Sequence, residues 1–573
     1  MALGPVPEDV LGKVYATNFG GESFPLEWRD EEEKKLFWYF DGLHYPQPVT
    51  PLYADVNPVY ASCAYMFQRF GIPFGKDWLA RRQNGWLYAA VVPRDAREAQ
   101  ELGPYFGAVL PVYAANFLRW WEERYLPEIR RNEAFLDSFP LETASLLDLL
   151  VHLEDARDIE ERHWRLHWIL NMAQFAAFLD FKTAVSQALG DRGLELAGDI
   201  LVSVRDRNWD ALKALWEMKE KVKATPALRA AFEAETGRAV LQRLQESAAG
   251  RAFLAEDVAA YQREYGYKAL YTHEYRYRTW REDPAPIVES IKGYLATDYN
   301  VYADLAAVAE RRQRAIDELF GLVQDEATRE SLRAKLQLAL NMAPLTPDHH
   351  FYFDQGTHAR MRLIYLAIGD RLVQQGVLDD REDIFFLTYH EIRTIGVQPD
   401  LFDARARVAE RRAEWEAAFT LRPPDWIGTA SHWALYEQPY NGLWGYPERF
   451  ERAQRQPQGA EVIQGLAGAP GVAEGTARRV VSEEEFDQVQ PGDVLVCRMT
   501  NPAWVVLFTN VVAVVTDDGG VLSHPAVVAR EFGIPAVVGT DDATWRIRSG
   551  DRVRVNGTTG VVEILSRGAG GDA

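Results

Sequence analysis

Apolar residues recur three and four positions apart through most of the first 450 residues, which is the spacing of one helix face. Leu141–Leu166, Trp209–Val222, Ala227–Gln245 and Val301–Leu340 carry the pattern, in runs rich in Ala, Leu, Glu, Arg and Gln. Proline falls between the runs, as at Pro226 and Pro284, where it punctuates rather than kinks. From Phe450 to Gly475 the chain turns polar and then rich in Gly, Ala and Pro, the composition of a linker. Short β-branched runs separated by glycine turns follow: Ala477–Val481, Asp493–Arg498, Val511–Asp517, Pro535–Gly539, Arg552–Gly557 and Gly560–Leu565. One helical pattern, HPAVVAREFG, lies between the third and fourth. The prediction is a multidomain α and α/β protein. Residues 1–450 form a large, mostly helical region, 451–470 a linker, 471–566 a small β/β/α domain and 567–573 a disordered tail.

Composition narrows what such a chain does. With 47% hydrophobic and 26% charged residues, the 573-residue chain is globular rather than disordered. Its net charge of −21, from 84 acidic and 63 basic residues, opposes a large nucleic-acid or anionic-membrane surface, since both need a positive field. Cys63 and Cys497 stand far apart and outside any CxxC spacing, so neither a disulfide scaffold nor a thiolate zinc site is expected. The N-terminus has no basic stretch leading into an apolar core, and no apolar run reaches the roughly 18 residues that span a bilayer. The expectation is a cytoplasmic protein with no nucleic-acid and no membrane partner. Fifteen of the 17 tryptophans precede residue 450. Trp120, Trp121, Trp164 and Trp168 read as core, and together such rings are able to line a pocket for a flat apolar ligand.

The segment richest in chemistry is TDDGGVLSHPAVVAREFGIPAVVG, Thr516–Gly539. A buried strand runs into a turn at Gly519 and Gly520, and a helix opens at Ser523-His524-Pro525. Ser523 or His524 is placed as N-cap, and Pro525 suits a first turn. His524 then stands at a helix N-terminus beside unpaired backbone N–H groups, a setting that favours a dianionic phosphoryl group. Imidazole nitrogen is a competent nucleophile toward phosphorus and a good leaving group. Spacing alone also admits a capped helix with an incidental histidine.

The segment resembles the swivelling phosphohistidine domain of the PEP-utilising enzymes. Their pattern of a Gly-Gly turn, a Ser, Thr or Cys, the phosphorylated His and an ARE-x-GIPAVVG run is matched by Gly519, Gly520, Ser523, His524 and Ala529–Gly539. MTNPAWVVLF (Met499–Phe508) is similar to the family's T-D-P-x-W-x-P-L-F, with Asn501 for Asp, and GAPGVAEGTARRV (Gly468–Val480) to its first hairpin. The likeness covers about residues 464–566. It implies that His524 is the phosphoryl carrier, with Gly519, Gly520, Ser523 and Arg530 around the phosphate.

The helical region more weakly resembles the acceptor-binding domain of rifampin phosphotransferase and the large subunit of phenylphosphate synthase. The likeness lies at Trp38–Asp55, Tyr265–Pro284 and Arg371–Ile392. Only a short tail follows the histidine domain, so the TIM barrel of PEP or pyruvate chemistry is not expected. Nor does the region before it read as ATP-grasp: Gly71–Lys76 has the wrong spacing for a phosphate loop and reads as a turn. The layout implies a split, dikinase-type phosphotransferase. ATP and Mg²⁺ are then bound mainly by a separate ATP-grasp subunit, which passes the β-phosphoryl group to His524 and releases AMP and phosphate. The implied acceptor is the hydroxyl of a small aromatic such as a phenol. A rifamycin-type antibiotic phosphotransferase and a phosphocarrier or regulatory module without its own acceptor are the alternatives.

Candidate acceptor-site residues follow from chemistry. Asp348–Gln355 packs two imidazoles, two carboxylates and three aromatic rings into eight residues. His349, His350 or Asp354 is expected to take the acceptor proton, with Tyr352 lining the site. The rifampin enzymes carry an Arg-Glu-x-x-Lys run here, and this chain departs from it. Arg360, Arg362 and Arg281 are therefore expected to steady the phosphoryl charge. His273, Glu274 and Trp280 form a second substrate-binding group. A polar surface turn and a salt-bridged helix cap are the plain readings of the two clusters. His163 and His167, four apart, lack a third ligand at motif spacing, so no metal site is expected.

Overall fold

The computed structural model describes residues 24–42, 44–234, 236–297, 299–424, 426–428, 461–481, 483–500, 504–508, 510–520 and 523–568. The signal-peptide reading, residues 451–460 of the expected linker, Asn501 and tail residues 569–573 lie outside them. The chain divides into two compact units. The first comprises Met1–Ala197, Thr272–Arg276 and Glu318–Gln454; the second comprises Gly198–Tyr271, Tyr277–Asp317 and Arg455–Ala573.

The spine of the first unit is the 44-residue helix Leu146–Leu189, started by Ser145, whose hydroxyl accepts the Asp148 N–H at 3.2 Å. Apolar side chains cover more than one face of it, from Leu149 and Leu153 to Phe175 and Phe181. The helices Ala96–Trp120, Glu326–Met342 and His358–Gln374 accordingly pack around it. Trp121, Trp164 and Trp168 are buried, as expected of core residues.

A four-stranded antiparallel sheet, which the helical reading did not include, also belongs to this unit. It has the order β2-β3-β1-β4, with β1 Phe37–Phe40, β2 Gly75–Gln83, β3 Trp86–Pro93 and β4 Trp426–Gly428. The physical reason it was hidden is β2 itself, GKDWLARRQ, made largely of helix-favouring residues. The turn Asn84-Gly85, with φ of +48° and +88°, closes the β2–β3 hairpin and overrides that preference. Gly71, at φ +61°, ends the Cys63–Phe70 helix just before β2, so Gly71–Lys76 is a turn into a strand.

The second unit holds an eight-stranded sheet in the order β5-β12-β11-β7-β8-β9-β10-β6. The strands are β5 Val462–Gln464, β6 Leu466–Ala469, β7 Val472–Arg479, β8 Asp493–Cys497, β9 Ala513–Thr516, β10 Ala536–Val538, β11 Arg552–Asn556 and β12 Val561–Ser566. Neighbours β7 to β10 run parallel, and helix His524–Phe532 links β9 to β10. β5 and β6 fall inside the expected linker: β5 pairs with β12 and β6 with β10, so residues 462–469 belong to the sheet. At the other end, Asp551 accepts from Arg567 Nη1 at 2.7 Å and from the Gly568 N–H at 3.0 Å, which orders the first two residues of the expected tail.

The sheet does not form its core alone. Leu215, Leu244 and Ile287, on helices Arg207–Ala224, Gly237–Glu246 and Ala285–Thr297, share one buried cluster with Trp504, Leu507 and Val514. Trp504 is fully buried; its indole N–H donates to the Leu270 carbonyl at 3.2 Å, and its ring lies 5.1 Å from Phe486. The two cysteines are free and buried. Among the described residues no helix is long and apolar enough to cross a membrane.

Candidate functional site

Two constellations carry the chemistry, one in each unit. In the second, β9 ends in Thr516, whose hydroxyl donates to the Asp518 carbonyl at 2.7 Å and tightens the turn that follows. Gly519 has φ +108°, and a Cβ there would stand 2.7 Å from Ser523 Oγ, so only glycine fits. Ser523 occupies the N-cap with an extended backbone (φ −70°, ψ 159°), but its hydroxyl donates back to the Gly520 carbonyl at 2.6 Å and caps no helix N–H. The helix therefore opens at His524 with first-turn N–H groups that the Ser523 side chain leaves unclaimed. Beneath the turn, Asp517 is buried and accepts from the Thr544 N–H at 2.8 Å and from its hydroxyl. Burial pushes its carboxyl up to about 6, against the pull of Arg498. Arg530 sits in the last turn of the helix, about 9 Å along the axis from His524. There its charge complements the C-terminal helix dipole.

In the first unit, helix Leu345–His349 runs into a π-wound turn, His350–Thr357, and on into His358–Gln374. In an α-helix positions five apart diverge by about 140°. Hydrogen bonding from i to i+5 brings them back toward one face, so His349, His350 and Asp354 converge. Thr357 supports the wide turn: its hydroxyl donates to the Tyr352 carbonyl at 3.1 Å and accepts from His163 Nδ1 at 2.7 Å.

Asp354 is 2% exposed. Oδ2 pairs with His350 Nδ1 and stands 3.8 Å from His273 Nε2; Oδ1 faces His167 Nδ1 at 3.8 Å and has no hydrogen-bond partner. Burial by itself would raise this carboxyl, but His350 and His273 outweigh it and hold it well below the usual range. His349 is driven the other way: burial, with His350 and His167 beside it, keeps the ring neutral, and Nδ1 donates to the Leu345 carbonyl at 3.1 Å. His358 is 4% exposed, stacks on Tyr275 with ring centres 4.6 Å apart, and has no hydrogen-bond partner on either nitrogen. Burial holds it neutral too. The ring of His273 lies 5.4 Å from His44, 5.7 Å from Tyr45 and 6.0 Å from Trp164. His44 in turn rests its Nδ1 on buried Asp41, which also accepts the Tyr60 hydroxyl at 2.6 Å. The result is a buried, ring-walled site whose unsatisfied nitrogens and oxygen call for a polar guest.

Of the residues expected here, His273, His349, His350 and Asp354 come together. Arg360 and Arg362 are engaged by carboxylates of the protein itself. Arg360 is ion-paired with Glu133 at 2.9 Å and Asp137 at 2.7 Å. Arg362, 1% exposed, donates to the carbonyls of Tyr275 and Arg276 and to Glu382. Their charges are already balanced by the fold, as buried guanidinium groups require. Glu274 accepts from the Thr50 N–H at 2.7 Å and hydroxyl at 2.9 Å, a structural clasp. Tyr352 packs against Trp121 and Phe351. Trp280 and Arg281 belong to the second unit, where Trp280 is core and Arg281 Nη1 donates to the Tyr267 hydroxyl at 3.1 Å. Asp41, His44, His167 and His358 were not selected from the sequence. Asp41 and His44 lie in a stretch quoted for its family likeness and His167 in the His163/His167 pair, and only the fold joins them to Asp354 and His273.

Residues 489–560 match the family model of the PEP-utilising enzyme mobile domain, and residues 149–346 that of the rifampicin phosphotransferase fourth domain. A chondramide synthase of Chondromyces crocatus is 30% identical over 566 residues, 95% of this chain and 14% of that protein. An uncharacterized phosphotransferase of Bacillus subtilis is 31% identical over 64% of this chain and 43% of its own length. A rifampicin phosphotransferase of Bacillus cereus is 27% identical over 77% of this chain and 49% of its own. The chain thus spans less than half the length of each of these relatives.

Proposed function

We propose that this chain, which carries the mobile domain of the PEP-utilising enzymes and the fourth domain of the rifampicin phosphotransferases, is the carrier and acceptor part of a phosphotransferase. His524 takes a phosphoryl group and passes it to a hydroxyl compound bound in the first unit. The observation that carries the reading is the Gly519-Gly520 turn feeding an uncapped helix N-terminus at His524, within the stretch that matches the mobile domain. In the transfer, the acceptor oxygen forms a bond to phosphorus as the bond from phosphorus to the His524 nitrogen breaks, and the hydroxyl proton leaves to a base. What remains for the protein is alignment. His358, with two unpaired nitrogens against Tyr275, supports a role in accepting the hydrogen bond of the incoming hydroxyl. ATP and Mg²⁺ belong in this proposal to a separate ATP-grasp polypeptide, so no residue of this chain is assigned to them.

The cluster of buried rings at Tyr45, Tyr53, Trp164 and His273 favours a small aromatic alcohol such as a phenol as acceptor. A rifamycin-type acceptor is the second reading, favoured by the match of residues 149–346. Both are tested by incubating the protein with an ATP-grasp partner, β-labelled ATP and a panel of phenols and rifamycins. Acid-labile label on wild type and none on His524→Asn is expected. His358→Gln is expected to keep the label and lose product. Label at another side chain would sink the carrier role, and stable label with no acceptor consumed would favour a phosphocarrier.

A further inference from the structure

The geometry points to a divalent-cation site of the zinc class in the first unit, formed by His349, His350 and Asp354 with His167 as fourth ligand. It stands apart from the phosphoryl-transfer reading and gives the first three residues a role other than taking a proton. His349, His350 and Asp354 each offer one ligand atom, and these atoms lie within 4.8 Å of one another. His349 donates through Nδ1 to the Leu345 carbonyl, which leaves the lone pair on Nε2 and fixes the ring, the usual outer support of a metal-bound imidazole.

The second observation is independent of that cluster's shape. Asp354 Oδ1 and His167 Nδ1, on residues 2% and 7% exposed, have no hydrogen-bond partner and face each other at 3.8 Å. That is too far for a hydrogen bond. It is close to the roughly 3.4 Å that separates two ligand atoms held about 2.1 Å from a tetrahedral ion. A buried carboxylate oxygen left unpaired is costly, and a shared cation is the simplest group that satisfies both atoms.

The donor set decides the class of ion. Three imidazoles and one carboxylate suit Zn²⁺ and its neighbours, whereas Mg²⁺ and Ca²⁺ prefer all-oxygen shells. Binding replaces the proton shared by His350 Nδ1 and Asp354 Oδ2, which is released to solvent. His167 Nε2 lies 2.8 Å from the Asn171 amide nitrogen; with that amide turned over, Nε2 donates and Nδ1 keeps its lone pair.

The test uses the full-length protein, stripped with a chelator and titrated with Co²⁺ and then Zn²⁺. The expected result is saturable visible absorption from one four- or five-coordinate cobalt per chain, displaced by Zn²⁺ but not by Mg²⁺. His349→Gln and Asp354→Asn should weaken Zn²⁺ binding roughly tenfold or more. His390→Gln, an exposed histidine of the Tyr389–Val397 helix, should leave it unchanged. Should Asp354→Asn fail to fold, His350→Gln at a half-exposed ring supplies the same comparison. Absence of the cobalt spectrum, or equal affinity in wild type and the ligand variants, overturns the site.

Discussion

Lys268 is 5% exposed, with its ammonium 5.1 Å from the centre of the Trp280 ring, and burial lowers its pKa from 10.5 to about 8. Between those values the unfolded chain holds more protons than the folded one, so stability rises with pH across the window. The penalty is complete below pH 8 and amounts to about 3 kcal/mol at most. Lys268→Met is therefore expected to raise the melting temperature at pH 7, with the gain shrinking to nothing as pH approaches 10.5, followed by thermal unfolding at a series of pH values. Gly519→Ala works in the opposite direction. It places a side chain at φ +108° and 2.7 Å from Ser523 Oγ, a strain of about 1–3 kcal/mol. Reduced melting temperature together with slower labelling of His524 is the expected pair of results. The glycine turn and the helix start at His524 were legible because Gly519, Gly520, the N-cap position Ser523 and the first helical residue lie within six consecutive residues. The first-unit site was only half legible: His349, His350 and Asp354 are neighbours in sequence, while His167 reaches the same place from the Leu146–Leu189 helix and its spacing to His163 does not point to Asp354.

The π-wound turn His350–Thr357 shows what an element contributes beyond its residues. Thr357 is fully buried and fastens the turn to His163. Thr357→Val keeps the shape but leaves the His163 N–H without an acceptor, which costs about 1–3 kcal/mol. Circular dichroism melts should show that loss. A weakened cobalt signal in the same variant would tie the winding to the convergence of His349 with Asp354. Periodicity could not announce this turn, because a run of three aromatic and two imidazole side chains reads equally well as α-helix or loop. Strands β7 to β12 were legible from their β-branched runs between glycines. Strands β1 to β4 were not, since β2 is rich in Lys, Arg and Ala and only its Asn-Gly turn betrays the hairpin.

Each unit has a buried core of its own: Trp38, Trp86 and Tyr88 in one, and the Leu215–Ile287–Trp504 cluster in the other. Calorimetry is accordingly expected to resolve two transitions. Trp504→Ala, which removes a fully buried indole worth about 3–5 kcal/mol, should lower only one of them. A single transition shifted as a whole would contradict separate cores. The division itself was hidden from sequence, because the change of composition near residue 450 marks where the strands of the second unit begin and not which helices they pack on. Five residues, Thr272–Arg276, belong to the first unit between two stretches of the second. That interleaving constrains any attempt to build chimeras. A donor module spliced in at residue 461 would arrive without the helices that shelter Trp504 and Leu507, and would meet water with a greasy seam. A workable exchange must carry residues 207–297 with the C-terminal part, and must rebuild the short inset bearing His273 so that the recipient keeps its histidine cage.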